Sequence, residues 1–399
     1  MAASHKLPPH QSEQGCASPP PCKAVPLHIW IILVVMSVFW FALGSRFVAQ
    51  AKQHDFLNLY SGGTLALHGP LQQIYTPEVQ LKTERTFVPK LPALVPFVRP
   101  PFYALALTAL AAIPFQWAFG VWLGVQTAVY LSVLTWAKSR WGPDALLFGS
   151  MFLPATLGIA SGQDCVFMLA IVAGMIALQD RGQETAAGAV LGLGLIKFHL
   201  FVIWPLVLLV QKRWRMLAGG AILALAEIIF SWILVGSSGL ADYISLLRNQ
   251  NIERLSPSRE LMINVHALAL NIGEDNVYLR ILLSLLVIAL ALLISWHAPF
   301  RNAVIAAGVA SLLVSPHVYG YDAALLLPSL CLVLFESRSK LPRLLAVFLC
   351  SPVPYLLNLA SFRWIMATPV CLILLLLSLA ASRDAAYAFP FSWRKPRSS

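Results

Sequence analysis

Charge is what this sequence has least of. Asp, Glu, Lys and Arg make up 11% of the 399 residues, against roughly 25% in a soluble domain. That is too little to coat a water-soluble globule of this length, particularly when 58% of the residues are hydrophobic. No GxxxxGK[ST], no GxGxxG after a strand and no HExxH occurs, so nucleotide hydrolysis and zinc proteolysis lack their usual loops. Cysteine is sparse and unpaired: Cys16, Cys22, Cys165, Cys331, Cys350 and Cys371 form no CxxC. The last three lie in apolar segments, which fits small packing groups rather than metal ligands or a disulfide framework. Period-2 alternation is missing from runs such as "LLSLLVIALALLIS" (282–295), which excludes an outer-membrane barrel. The net charge of +11 does not point to nucleic acid, because Lys and Arg fall in short clusters between apolar runs and in the tail "RKPRSS". Internal repeats are not evident.

What is present is a succession of apolar runs from Leu27 to Ser382. A bilayer core of about 30 Å takes roughly 20 apolar residues per helical crossing, so the expected fold is all-α and polytopic, with the lipid bilayer as its surroundings. Residues 1–26, rich in Pro, Ser, Gln and Ala, read as a disordered cytoplasmic tail. The run Leu27–Ala49 is too long for a signal-peptide core and has no small-residue cleavage site after it, so it is expected to stay as an anchor. Further crossings are expected at about 117–137, 145–160, 163–179, 216–236, 278–297, 301–315, 321–336, 341–358 and 362–382.

The positive-inside rule sets the orientation. Lys138 and Arg140, Arg181, "QKRWR" (211–215), Arg301, "SRSKLPR" (337–343) and the C-terminal tail 384–399 belong on the cytoplasmic side. Two segments must then depart from simple crossings. "PFYALALTALAAIPF" (101–115) reads as a helix on or dipping into the outer interface. The run 187–210 enters from a cytoplasmic loop and ends at a cytoplasmic cluster, so it reads as a bent pair, about 187–197 and 198–210, folding back near Lys197. The expected count is about twelve membrane helical elements in one domain, 27–383, plus interfacial helices in the first outer loop. Segments 50–116 and 237–277 face outward, and the turns "SGQDC" (161–165) and "SPHVYGYD" (315–322) open on the same side.

Ionisable side chains inside apolar segments cost several kcal/mol at the bilayer centre, so each is a functional candidate or half of a pair. Asp55, in "QHDFLNLYSGG" after the first run, is either the N-cap of an interfacial helix or a general base at the membrane surface, with His54 beside it. Lys197, in "GLGLIKFHLF", either snorkels or faces an outer cavity where it can bind phosphate. His199 points either to it or to a backbone carbonyl. Arg99, before Pro100-Pro101, is either an exposed loop residue or a bidentate phosphate contact. His317 stands at a Pro-broken helix end with Tyr319, Tyr321 and Asp322 close by, as part of an interfacial belt or as a donor to an anionic leaving group. Gln163 and Asp164 either cap the next helix or line the same space. Glu227, midway along "ALALAEIIFSW", has no assigned role.

Five stretches, in order, resemble glycosyltransferase family 87 of the GT-C superfamily. They are "HDFLNLYSGGTLALHG…IYTPE", "RPPFYALALTALAAIP", "SGQDCVFMLAIVAGMIAL", "AAGAVLGLGLIKFHLFVIWPLVLLVQKRWRML" and "LLVSPHVYGYDAALLLP". The resemblance implies a GT-C membrane fold and a transferase that moves a hexose, mannose by family likeness, from a polyprenyl-phosphate sugar donor to a lipid or glycan acceptor. Asp55 matches the family's acidic base in the first extracytoplasmic loop. Lys197, His317 and Arg99 would then steady the departing phosphate, with one displacement inverting the anomeric carbon. No acidic metal pair is evident, and neither a metal nor a cofactor is expected. The implied location is the plasma (inner) membrane, multi-pass, with the active site on the extracytoplasmic side. Two departures from the family pattern stand out: Arg99 replaces an aromatic before the Pro pair, and Phe198-His199 replaces a proline after the lysine. The alternative function is a transporter or lipid-linked-sugar flippase, which would line a path to both sides with charge and often carries repeats. A third is a non-catalytic scaffold of the same descent, disfavoured by the presence of Asp55.

Overall fold

The computed structural model describes residues 55–248, 259–273, 276–359 and 365–382, with single positions 27, 31 and 35. The expected first crossing, both tails and His54 lie outside the described residues. Every regular element among those described is helical. Residues 55–111 hold α1 (Asp55–His68), α2 (Pro77–Phe87), α3 (Pro101–Ala106) and α4 (Thr108–Ala111). Next come α5 (Phe115–Trp141), α6 (Asp144–Met151), α7 (Leu153–Ala160) and α8 (Cys165–Asp180). After α9 (Glu184–Gly192), α10 (Trp204–Val210) and α11 (Trp214–Arg248), the chain forms α12 (Val265–Asn271) and α13 (Val277–His297). The last helices are α14 (Phe300–Val314), α15 (Leu327–Glu336), α16 (Lys340–Cys350), α17 (Val353–Leu359) and α18 (Ala367–Ala381).

Three of these, α5, α11 and α13, are long and apolar enough to cross a membrane. They leave rows of isoleucine and leucine, such as Ile222, Leu225 and Ile229 on α11 and Ile281, Leu285 on α13, exposed where lipid would cover them. Of the twelve expected membrane elements, three stand as full-length spans among the described residues, accompanied by shorter apolar helices. The reason is local. The expected crossing 145–160 is broken at Phe152, whose ψ is 89°, because Pro154 opens α7 and can neither donate to nor continue α6. The crossing 341–358 is interrupted in the same way before Pro352, between α16 and α17.

The bent pair is present. From α9 the chain passes through a 3₁₀ segment, Leu193–Leu200, in which Lys197 leaves helical geometry (φ −129°, ψ 62°), and returns along α10. Arg213 Nη1 and Glu184 Oε1 close the base of the hairpin at 2.6 Å, so 184 and 213 lie at one end and Lys197 at the other. The hairpin leans on α11 through a contact too close for side chains: a Cβ on Gly188 would lie 1.9 Å from the Met216 carbonyl oxygen. At the hairpin's base, Arg140 bonds Asp180 and Glu336 (3.1 Å to the latter), and Arg301 also bonds Glu336. Arg140, Arg213 and Arg301, each from a different basic cluster, thus gather at one pole.

Within residues 55–111, α2 works as a bracket. Gln80 and Glu84, one turn apart and both buried, face the extended stretch 95–99. The Phe97 amide donates to Gln80 Oε1 (2.9 Å) and the Val95 amide to Glu84 Oε2 (3.1 Å), while Gln80 Nε2 donates to the Ile74 carbonyl (2.8 Å). The Tyr75 hydroxyl donates to the Arg99 carbonyl at 2.7 Å. Residues that precede a Pro-Pro pair have no ladder to join; these side chains satisfy them and fix where Arg99 starts. Burial pushes the Glu84 carboxyl up to about 7, against the lowering influence of the Val95 amide.

Two outcomes follow. Gly188→Ala should lower the thermal unfolding midpoint in detergent by several degrees, an overpacking cost of about 1–3 kcal/mol. Gly124→Ala, whose Cβ would meet nothing within 4 Å, should leave the midpoint within a degree or so. For Glu84 the folded pKa lies above its ordinary value of 4.5. Its contribution is therefore complete below that value and is lost as pH rises through about 7. Glu84→Gln keeps an acceptor for Val95 and cannot ionise, so it should gain on the order of 2 kcal/mol over wild type between pH 5 and pH 8. Parallel unfolding curves at the two pH values would refute a buried neutral carboxyl.

Candidate active site

Four chain segments far apart in sequence meet at the pole opposite the Arg140 cluster. The turn 161–164 contributes Asp164, the hairpin tip Lys197, the stretch before α3 Arg99, and the 3₁₀ segment Gly320–Leu326 Asp322. Arg99 forks onto the Asp164 carboxylate, Nε to Oδ2 at 2.7 Å and Nη2 to Oδ1 at 2.9 Å. Lys197 Nζ sits between two carboxylates, 3.0 Å from Asp164 Oδ1 and 2.9 Å from Asp322 Oδ1. Asp322 Oδ2 accepts from the Tyr319 amide at 3.0 Å, closing a capping box that starts the 3₁₀ segment. Two cations and two anions form one chain of ion pairs, and the Asp164 and Lys197 side chains are 0% and 3% exposed.

The turn that carries Asp164 is fixed from the backbone. Gly162 has φ +72°, a conformation L side chains rarely adopt, and its carbonyl accepts from Trp122 Nε1 at 2.8 Å. Asp164 stands at the N-cap position of α8, yet its side chain caps nothing there; the carboxylate is committed to Arg99 and Lys197. Burial alone would raise this carboxyl, and the Arg99 guanidinium and Lys197 ammonium beside it hold it well below the usual carboxylate range. Gln163 is buried in the same turn. The Tyr321 ring lies 5.7 Å from Lys197 Nζ, within cation–π range.

The remaining candidates border this network. Asp55 opens α1, and the residue after it packs against the turn that carries Asp164: a Cβ on Gly162 would lie 3.0 Å from Phe56 Cβ. Phe56 is fully buried against Phe115 and Phe119 at the head of α5, which sets α1 beside the network. His317 stands edge-on to Tyr319, ring centroids 5.1 Å apart. His199, two residues beyond Lys197 at the hairpin tip, stands edge-on to the Phe198 ring, centroids 5.8 Å apart. Glu227 is apart from it, on α11; one carboxylate oxygen has no hydrogen-bond partner among the described residues.

Gln80, Glu84 and Tyr75 escaped sequence reasoning although they hold the segment that delivers Arg99. No motif marks them, since each acts on backbone groups whose position depends on the fold. The stretch before α12 also reaches the site: Ile263 N donates to the Val318 carbonyl at 3.0 Å and Asn264 Nδ2 to the Ser315 carbonyl at 2.8 Å. Among the described residues no group of three or more His, Cys, Asp or Glu could hold a metal ion. Chemically, the pole offers a carboxylate at a helix start, two tyrosines, two histidines and a rigid, charge-balanced set of N–H donors.

Comparison with protein families matches residues 97–316 to glycosyltransferase family 87. No curated protein and no solved structure matches the chain. The matched stretch spans more than half of the sequence and carries Arg99, Asp164 and Lys197; it begins after Asp55 and stops one residue before His317. With three of the four network residues inside the match, the chain belongs to glycosyltransferase family 87 and is a membrane-helix glycosyltransferase.

Proposed function

We propose that the enzyme transfers a hexose, mannose by family likeness, from a polyprenyl-phosphate donor to a lipid or glycan acceptor on the extracytoplasmic face of the plasma membrane. Asp55 acts as the base. It takes the proton of the acceptor hydroxyl as that oxygen forms its bond to the anomeric carbon. The bond from that carbon to the phosphate oxygen breaks on the opposite face, its electron pair leaves with the polyprenyl phosphate, and the centre inverts. Lys197, Arg99 and His317 face the departing phosphate.

The observation that supports this reading most is the convergence of Asp55, Tyr319, Tyr321 and the Arg99–Asp164–Lys197–Asp322 network at one pole. A phosphate needs donors that are already in place. Arg99 commits two of its five N–H groups to Asp164, and Lys197 two of its three to carboxylates, so both retain donors for a ligand. The inverse placement of Arg140, Arg213 and Arg301, at the far pole, supports the outward orientation of the site.

Sugar transfer in proteoliposomes supplied with labelled polyprenyl-phosphate sugars and a membrane glycolipid extract tests the reaction. Asp55→Asn should reduce turnover by about 10²–10⁴-fold with an unchanged unfolding midpoint; full activity in the folded variant would return Asp55 to helix capping. Sidedness is tested separately on a cysteine-free background. Lys90→Cys, in the exposed stretch after α2, should react with an impermeant thiol reagent in intact cells, and Lys340→Cys, at the start of α16, only after lysis. The reverse pattern would invert the orientation.

A further inference from the structure

A well-formed cavity lies away from the Asp55 pole. It has a volume of about 440 Å³ and opens at the opposite end of α8, among the residues that close the base of the hairpin. α8 ends at Asp180, 16 residues beyond its N-cap Asp164, so about 24 Å separates the two poles along its axis. Nothing in the transfer reaction described above uses this second space.

Its lining is amphipathic. Arg140 of α5, Arg213 of the turn after α10 and Arg301 of the first turn of α14 converge on it against one lining carboxylate, Asp180. Ile176, Val304 and Leu332 supply apolar wall. The Arg213 guanidinium carbon stands over the Phe300 ring, 4.6 Å from its centroid, which holds it at the cavity. Two polar atoms of the lining residues are buried and have no hydrogen-bond partner among the described residues, the Arg140 Nε donor and the Gln179 Oε1 acceptor. Glu184 and Glu336 pair with these arginines from the rim. The Arg301 side chain is 57% exposed, and an exposed ion pair of this kind contributes little, so it exchanges readily for a better anion.

A bare anion would have no use for the apolar wall, and a neutral apolar ligand none for three guanidiniums. Exposed Trp214 and Trp296 flank the segments that carry Arg213 and Arg301, as aromatic side chains do at the headgroup level of a bilayer. Basic pockets between membrane helices on the face that carries the Lys and Arg clusters suit anionic headgroups.

We propose that this cavity seats the phosphate headgroup of an anionic membrane lipid. The guanidiniums of Arg140, Arg213 and Arg301 hold the phosphate oxygens, Gln179 accepts from a headgroup hydroxyl, and the glycerol end rests on Ile176, Val304 and Leu332. The site is separate from the donor site and stands whether or not the donor is a polyprenyl phosphate.

The test uses the full chain, purified and delipidated in a neutral maltoside detergent, and reads lipid adducts by native mass spectrometry. Dioctanoyl phosphatidic acid should bind as one retained adduct at a concentration at least tenfold below that of dioctanoyl phosphatidylcholine, and inorganic phosphate should not compete at equal concentration. Arg301→Gln, at a largely exposed side chain, should raise the half-saturating concentration at least threefold, and Arg301→Gln with Arg213→Gln at least tenfold. Lys340→Gln, an exposed cation outside the cavity, should leave it unchanged. Each variant is compared at an unfolding midpoint matched to wild type; if the double variant fails to fold, Arg301→Gln alone decides. Equal retention of the two lipids, or wild-type affinity in Arg301→Gln, would overturn the site. Phosphate competing as well as phosphatidic acid would show a bare anion site and overturn the lipid assignment.

Discussion

The rest of the site depends on one buried chain of charge, Arg99 to Asp164 to Lys197 to Asp322. Each member is costly alone. Two carboxylates and two cations withdrawn from water are tolerable only as a set, and removing one partner of a buried pair costs about 3–5 kcal/mol because the other is left uncompensated. The network therefore acts as a closure condition on the fold. Segments at 99, 164, 197 and 322 must arrive together, or none can be buried. Every one of them is a place where regular helix stops: a Pro-Pro entry at Arg99, a left-handed glycine before Asp164, a non-helical Lys197 and a 3₁₀ turn around Asp322. Irregular backbone at membrane depth is tolerated where it is buried in protein or lines a cavity. The breaks mark the site as surely as the charges do.

The same logic explains the polarity of the molecule. Helices that begin near the network end near a second group of ion pairs, with α8 running from its N-cap Asp164 to Asp180 and α15 closing on Glu336. Between the two poles the packing is apolar, and α14, buried along Ala303–Leu313, forms its centre. The hairpin joins both poles. Its base is held by Arg213 and Glu184 and its tip delivers Lys197, so a polar bond at one end fixes the height of a cation at the other. Because the polar groups sit in two sets with apolar packing between them, the described residues lack the continuous charged path that a transporter would line.

Much of this was legible in the sequence, for physical reasons that differ by residue. Lys197 stood out because an ammonium inside an apolar run must have a partner or a use. The hairpin followed from it, since two basic clusters on one side of an apolar run of insufficient length for two crossings leave no other path. The family resemblance was carried by the same stretches. Asp164 and Arg99 were recognised only as separate candidates: they stand 65 positions apart, and nothing in either local pattern names the other. The bracket of Gln80 and Glu84 was invisible, because its targets are backbone amides at Val95 and Phe97. The expected crossings at 145–160 and 341–358 were misjudged in form for a simpler reason. Hydropathy registers apolar length, while Pro154 and Pro352 decide where that length must break.

Charge balance within the network has a consequence for how a phosphate would be received. With Asp164 and Asp322 matching Arg99 and Lys197, there is no surplus positive charge to draw an anion in from a distance. Recognition would rest on unused N–H groups held at fixed positions, which act at contact range and in a low-dielectric surrounding where such bonds are strong. Rigidity then matters more than net charge. The side chains that supply it are those around the network: Tyr75 and the α2 bracket behind Arg99, Trp122 behind the Asp164 turn, and the Tyr319 capping box behind Asp322. In the proposed reaction, a neutral but inflexible set of donors would favour the state in which negative charge concentrates on the leaving phosphate over the state in which it is still shared with the sugar, which is the distinction such a transferase needs.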